Sequence, residues 1–286
     1  MAQSVVLYPI GVGSYSTIRD FYTNTMLDID GRRIFIDAPA YLHKQVAWHQ
    51  EHGELAYGFE DYNEVILTHM HADHAGGLEE LCWHQLYQTQ DRIKLYAPDW
   101  MLEDAWRTVE PANRYSFRGD PNGDAEPPYW PPPGAVRTAL DWFFEPIELA
   151  NPHDFGDFVL HRHVTRHLPK TSALKFDFGD FKFGMSSDTG FYPDLIEWLD
   201  ECDVVLHEVL FGPHKLLGGD LRNIHTTVDQ LLTLPESFQR KTYLYHYGDE
   251  AYEVDPDRPS VDLGAYRLLV RGKKYQLVGE PQAEHA

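Results

Sequence analysis

Residues 68–77 read Thr-His-Met-His-Ala-Asp-His-Ala-Gly-Gly, which places His69, His71, Asp73 and His74 within six residues of one another. Imidazole nitrogen and carboxylate oxygen together are a donor set for zinc, manganese or iron. The compact run 64–67 leads into this cluster. Leu78, Leu81, Cys82 and Leu86 follow at helical spacing. The four donors therefore sit on a tight turn between strand and helix, able to aim alternate side chains at two adjacent ions. One segment cannot complete either ion's shell, so further ligands must come from elsewhere in the chain. A cluster of solvated surface histidines is the plain alternative. A strand feeding four ligand-type residues argues against it.

Short elements must hold that turn in place. Residues 5–10 are apolar and end at Gly11-Val12-Gly13, a turn signal. Runs 23–30 and 33–37 flank Asp30-Gly31, which predicts a hairpin. Strand is expected over 93–96 and helix over 98–109. Further on, strand signals cover 158–164, and a second hairpin joins 173–178 to 181–185 at Gly179-Asp180. Helix over 193–199, strand over 204–208, helix over 226–234 and strand over 241–247 complete the pattern, with a last hairpin over 266–278 around Gly272. Strands interleaved with helices make this an α/β protein with layered sheets. Between about 110 and 135, Pro127-Pro128-Tyr129-Trp130-Pro131-Pro132-Pro133-Gly134 excludes helix and central strand and reads as an insertion or lid. Its Tyr129-Trp130 pair could wall a pocket, although packing of the loop against the body is the plainer reading.

Composition limits the partners. With 45 acidic against 24 basic side chains the formal charge is −21, and such a surface repels polyanions over a broad footprint. Extended nucleic acid is disfavoured as a partner, whereas a small phosphate ester in a local pocket is not. No apolar run approaches a bilayer's thickness, and the N-terminus does not read as a signal peptide. Cys82 and Cys202 cannot build a disulfide framework, so a reducing cytoplasm is expected. Most remaining histidines are read plainly: His84 as packing, and His43, His49 and His52 on a solvated polar helix. For His207 and His214, near the expected site, the two readings balance.

The pattern H-x-H-x-D-H followed by Ala-Gly-Gly resembles the metallo-β-lactamase superfamily, and other segments match that family in order. The resemblance implies a four-layered αββα sandwich forming one domain over residues 1–286. It implies that Asp37, closing Ile34-Phe35-Ile36-Asp37, orients the metal loop through hydrogen bonds. It asks for a third metal histidine from among His161, His163 and His167. His167 fits best, His163 is the second choice, and His161 reads as structural or substrate-facing. Ser186-Ser187-Asp188-Thr189-Gly190 matches the turn that carries a bridging aspartate, and His246 matches the last ligand. That turn and the long gap before His246 resemble the ribonuclease Z branch, which includes tRNA-end nucleases and small cyclic phosphodiesterases. His225-Thr226-Thr227 stands where the branch has a His-Ser-Thr motif, and His207-Glu208-Val209-Leu210-Phe211 is similar to its His-Glu-Ala-Thr-Phe.

By this resemblance one divalent ion takes His69, His71 and His167, the other takes Asp73, His74 and His246, and Asp188 bridges them. Zinc is the first expectation, with manganese or iron as alternatives. Such a pair activates water and stabilises charge on a phosphoryl oxygen. Asp73 and His225 are the residues expected to carry the chemistry, His225 by protonating the leaving oxygen or binding phosphate. The plain alternative for His225 is a cap on the following helix. The favoured reading is a phosphodiesterase for a small substrate such as a cyclic nucleotide or cyclic sugar phosphate. A tRNA 3′-end nuclease is disfavoured, because no Gly-Pro-rich basic arm is seen and the Pro-rich segment carries Asp120, Asp124 and Glu126 against Arg118. A lactone or carboxylic ester hydrolase would use the same metals. A metal-binding or redox-sensing protein without hydrolase activity is a further class. Dimerisation enters by analogy with the branch alone.

Overall fold

The sequence alternates apolar residues at strand spacing, and each strand consequently has two faces to cover. In the computed structural model, Arg32–Ile36 shows how this is done: Ile34 and Ile36 enter one buried cluster and Phe35 enters another. The first cluster fills the space between two sheets, where Leu7, Leu27 and Ile66 meet Leu160, Leu174 and Phe176. The second lies beneath helices Leu42–His52, Leu78–His84 and Asp99–Asn113. On the far side, Leu195, Ile196 and Leu199 of helix Pro193–Asp200 cover the other sheet. The result is the four-layered αββα sandwich. The structure describes residues 2–89, 91–117, 135–212, 215–216, 219–252 and 262–279.

Each sheet has seven strands and is mixed. In the first, Tyr275–Val278, Val5–Gly11, Asn24–Ile29 and Arg32–Ile36 pair antiparallel, and Glu64–Ile66, Ile93–Ala97 and Phe144–Glu148 then add in parallel. In the second, His153–Asp154, Val159–Val164, Ser172–Asp177 and Lys182–Met185 run antiparallel, followed in parallel by Val204–Glu208, Thr242–Tyr245 and Arg267–Leu268. Two of the three expected hairpins form, at Asp30-Gly31 and at Gly179-Asp180. Asp30 and Gly31 take the left-handed conformations that a two-residue turn requires, with φ 51° and 90°.

Four expectations need correction. The expected hairpin over 266–278 does not exist: Arg267–Leu268 joins the second sheet and Tyr275–Val278 the first, so the chain crosses between layers at Gly272. The helix expected over 226–234 is only Val228–Leu231, and a separate helix, Glu236–Arg240, starts after Pro235. Helix Asp99–Asn113 continues past 109 and contains Pro111. His49 is not solvated but fully buried, on the same helix face as Leu42, Gln45 and Val46. Tyr115–Phe117 and Ala135–Arg137 pair at the base of the Pro-rich insertion, while Tyr129-Trp130 lies outside the described residues.

Candidate metal centre

The donors gather at the C-terminal ends of parallel strands, the end at which open α/β sheets hold their ligands. Glu64–Ile66 runs on into Thr68 and His69, Lys182–Met185 into Asp188, and Thr242–Tyr245 into His246. Asp37 organises the first of these loops. It is fully buried, with φ 70°. Its carboxylate accepts the Thr68 amide at 2.7 Å, the Thr68 hydroxyl at 2.8 Å and His74 Nδ1 at 2.7 Å. Burial raises the Asp37 carboxyl, and His74 beside it works in the opposite direction.

These partners fix the tautomers of the histidines. The Thr68 hydroxyl gives its proton to Asp37, so the His69 Nδ1–H donates to Thr68 Oγ1, 3.1 Å away, and Nε2 keeps its lone pair. His167 Nδ1 donates to the Ile224 carbonyl at 2.9 Å, which leaves Nε2 as an acceptor too. Both Nε2 atoms point at His71 Nδ1, at 3.2 and 3.1 Å. One imidazole nitrogen can donate to at most one of them, so unshared lone pairs face one another. A cation at that point removes the conflict.

Asp188 stands between two such groups. Its Oδ2 lies 3.7 Å from His69 Nε2 and 3.6 Å from His167 Nε2, while Oδ1 lies 3.4 Å from both His74 Nε2 and His246 Nε2. Asp73 completes the second group, 3.3 Å from His246 Nε2. Asp188 Oδ1 and His74 Nε2 are buried without a hydrogen-bond partner, which fits a pair of electropositive ligands and is costly without them. The donor atoms of His69, His71, His167 and Asp188 all lie within 4.8 Å of one another, as do those of Asp73, His74 and His246. The residues present thus fit divalent ions. The electrostatics agree: burial disfavours charge on His74, yet Asp188 and Asp37 hold its pKa well above the ordinary value. Burial likewise works against the Asp188 and Asp73 carboxylates, and the surrounding histidines hold both below the usual range.

Of the three candidates for the third histidine, the fold brings His167 to the cluster. His163 lies 5.5 Å from the Trp198 ring and 3.1 Å from the Tyr192 hydroxyl, and His161 sits on the same strand opposite Lys175. His225 joins Asp188 and His246 in a third donor group, its ring stacked on His246 at 5.7 Å. It does not cap the next helix. Thr227 does that, accepting the Gln230 amide.

Glu208, quoted in the His-Glu-Val-Leu-Phe segment but given no role from sequence, turns out to be central. Its buried carboxylate accepts His225 Nδ1 at 3.1 Å and the Thr189 amide at 2.6 Å, linking His225 to the Asp188 turn. Burial opposes the His225 imidazolium, but Glu208 outweighs it and raises the pKa to about 9. His207 is buried beside it with Nδ1 at the Glu208 carbonyl, outside the donor groups, and burial takes it down to about 4. His84 is buried against Phe59, while His214 lies outside the described residues. Above the donors opens a cleft of about 530 Å³ lined by His71, Asp73, Asp188, His225 and His246, with Tyr15 and Glu250 on its walls.

The layers are those of the metallo-β-lactamase fold, and with the family match given below they make the chain a metal-dependent hydrolase. The fold is that of the metallo-β-lactamase fold protein YhfI from Bacillus subtilis, with a TM-score of 0.65 at 13% identity over 96% of this chain and 99% of that one. Human tRNase Z, short form, gives 0.63 at 17% identity over 95% and 99%. The family model described as Anti-Pycsar protein Apyc1 matches residues 5–275, and the chain belongs to that family. Among relatives of that name, one from Paenibacillus harenae is 29% identical over 272 residues, 94% of this chain and 98% of the relative. Another, from Bacillus phage 010DV004, is 25% identical over 286 residues, 97% of this chain and 100% of its own. Among the described residues no helix is long and apolar enough to cross a membrane.

Proposed function

We propose that this hydrolase is a phosphodiesterase that opens a small cyclic phosphodiester, foremost a 3′,5′-cyclic nucleotide. The observation that carries the reading is Asp188, whose two oxygens face separate donor groups beneath a cleft that also holds the His225–Glu208 pair. His69, His71 and His167 would hold one divalent ion, Asp73, His74 and His246 the other, with Asp188 shared and zinc the first expectation for this donor set. When bound, two such ions supply Lewis acidity toward a phosphoryl oxygen and make water a nucleophile near neutral pH.

The chain's own groups do the rest. Asp37 and the Ile224 carbonyl orient the donor histidines before any ion arrives. Glu208 holds His225 at Nδ1 and favours its protonated form, so that Nε2 can deliver a proton to the departing oxygen. Asp73 is then a donor to the second ion rather than a proton carrier, because its neighbours keep it ionised. Both sheets contribute donors, which supports reading the chain as one domain with an insertion. The cleft volume suits a mononucleotide-sized ligand, and the charge of −21 argues against an extended RNA footprint.

The test is a hydrolysis panel on metal-analysed protein. It compares cyclic CMP, UMP and AMP with bis(p-nitrophenyl) phosphate, a lactone and a precursor tRNA, using Asp188→Ala as background. The reading expects cyclic-nucleotide turnover that vanishes in the variant together with at least one metal equivalent. Turnover of the lactone alone or of tRNA alone would replace the substrate class. Full activity with both ions bound in Asp188→Ala would remove the assigned centre.

A further inference from the structure

The cleft has a wall that phosphodiester chemistry leaves unused. It is made by the loop after the first strand, with Ser14, Tyr15 and Ser16, and by Glu250. The loop is fastened to the segment that follows His246. The Ser14 amide donates to the Tyr247 carbonyl at 3.1 Å. The Asp249 carboxylate accepts the Thr17 hydroxyl at 2.7 Å and the amides of Ile18 and Arg19 at 3.0 and 3.1 Å. On this fixed loop Tyr15 is 74% exposed and lines the cleft. A single exposed tyrosine on an open surface needs no explanation. One presented into a reaction cleft on a tied-down loop offers a rigid aromatic face at little entropic cost.

Glu250 is as unusual on this wall. Its carboxylate lies over Gly212 and Gly248, and a Cβ at Gly212 would meet Oε1 at 2.6 Å, so glycine there keeps the space clear. Among the described residues Glu250 makes no hydrogen bond or ion pair. A carboxylate repels a phosphate. It suits the opposite end of a nucleotide, where N–H groups of the base need acceptors.

We propose that Tyr15 and Glu250 form the subsite for the base of the cyclic nucleotide, Tyr15 by stacking on its face and Glu250 by accepting from its edge. This rests on the cyclic-nucleotide reading above. Tyr15 and Glu250 are specificity determinants here and do not touch the reacting atoms.

The experiment measures kcat/KM on 3′,5′-cyclic CMP and on methyl riboside 3′,5′-cyclic phosphate, the same ring without a base. Wild type, Tyr15→Ala, Tyr15→Phe and Glu250→Ala are compared, and calorimetry with the phosphorothioate of cyclic CMP reads binding apart from turnover. Tyr15→Ala should lower the ratio of the two kcat/KM values about tenfold and weaken phosphorothioate binding in step, with Glu250→Ala somewhat milder. Tyr15→Phe should keep the ratio, since the ring and not the hydroxyl stacks. An unchanged ratio in Tyr15→Ala and Glu250→Ala, or equal damage from Phe and Ala, overturns the subsite and leaves the phosphodiesterase standing. A wild type that opens neither ring overturns the cyclic-nucleotide reading and the subsite with it.

Discussion

Two histidines, the buried His49 and the half-buried His225, meet opposite fates in this molecule. His49 lies in the core beneath the first sheet, donating from Nε2 to the Ile10 carbonyl at 2.7 Å and accepting the Tyr8 hydroxyl at Nδ1 at 2.8 Å. Burial, helped by the nearby Arg271 charge, brings its pKa down to about 4. His225 is half-buried, but its partner is the Glu208 carboxylate, and its pKa rises to about 9. Burial pushes both in the same direction. The charge of the partner decides whether a histidine stays a neutral hydrogen-bonding group or holds its proton.

That contrast can be tested from its strongest consequence downward. His49 has a folded pKa of about 4 against an ordinary 6.5, so the unfolded chain takes up a proton that the folded one refuses. Its contribution is therefore complete above pH 6.5 and is lost as pH falls toward 4, on the order of 3 kcal/mol. Urea unfolding of metal-free protein at pH 7 and 4.5 should show this loss, and His49→Gln should show much less of it. Equal acid sensitivity in both proteins would break the comparison on this side. Next in size, Glu208→Gln keeps the shape beside His225 and removes the charge. It should lower kcat about thirtyfold at unchanged metal content, as expected for a weakened general acid. An unchanged kcat would make His225 a phosphate contact rather than a proton donor. The smallest effect belongs to Tyr8→Phe, which leaves His49 Nδ1 without its donor and should cost about 1 kcal/mol of stability with no change in turnover.

The same pair shows what sequence can and cannot disclose. His69, His71, Asp73 and His74 stand out by their spacing on a single turn, whereas His225 is legible through the resemblance of His225-Thr226-Thr227 to a family motif. Asp37, Asp188 and His246 are legible only through the resemblance, whose pattern puts each just after a strand, and strand ends are marked by local alternation and turn residues. Glu208 was visible only as part of a resemblance, since its partner lies 17 residues away across a loop. The burial of His49 is hidden in the sequence although the helical stripe is present: Leu42, Gln45, Val46 and His49 have the right spacing, but two polar residues conceal an inward face. Tyr266 to Val278 suggests a hairpin because its two strands are adjacent in sequence, whereas each pairs with partners elsewhere in the chain. Ser14 to Ser16 gave no signal beyond a turn, because what makes that loop notable is its attachment to Asp249, more than 200 residues further on.

The donors, finally, are divided between the two sheets: His69, His71, Asp73 and His74 follow a strand of the first, while Asp188 and His246 follow strands of the second. An ion held by both is a rivet through the sandwich. Ligands presented together only when the layers are closed bind the folded chain and not the unfolded one, so each tenfold rise in free metal above the dissociation constant adds about 1.4 kcal/mol to folding. The melting temperature thus becomes a gauge of metal occupancy, and a chelator should loosen the whole molecule as well as stop its chemistry.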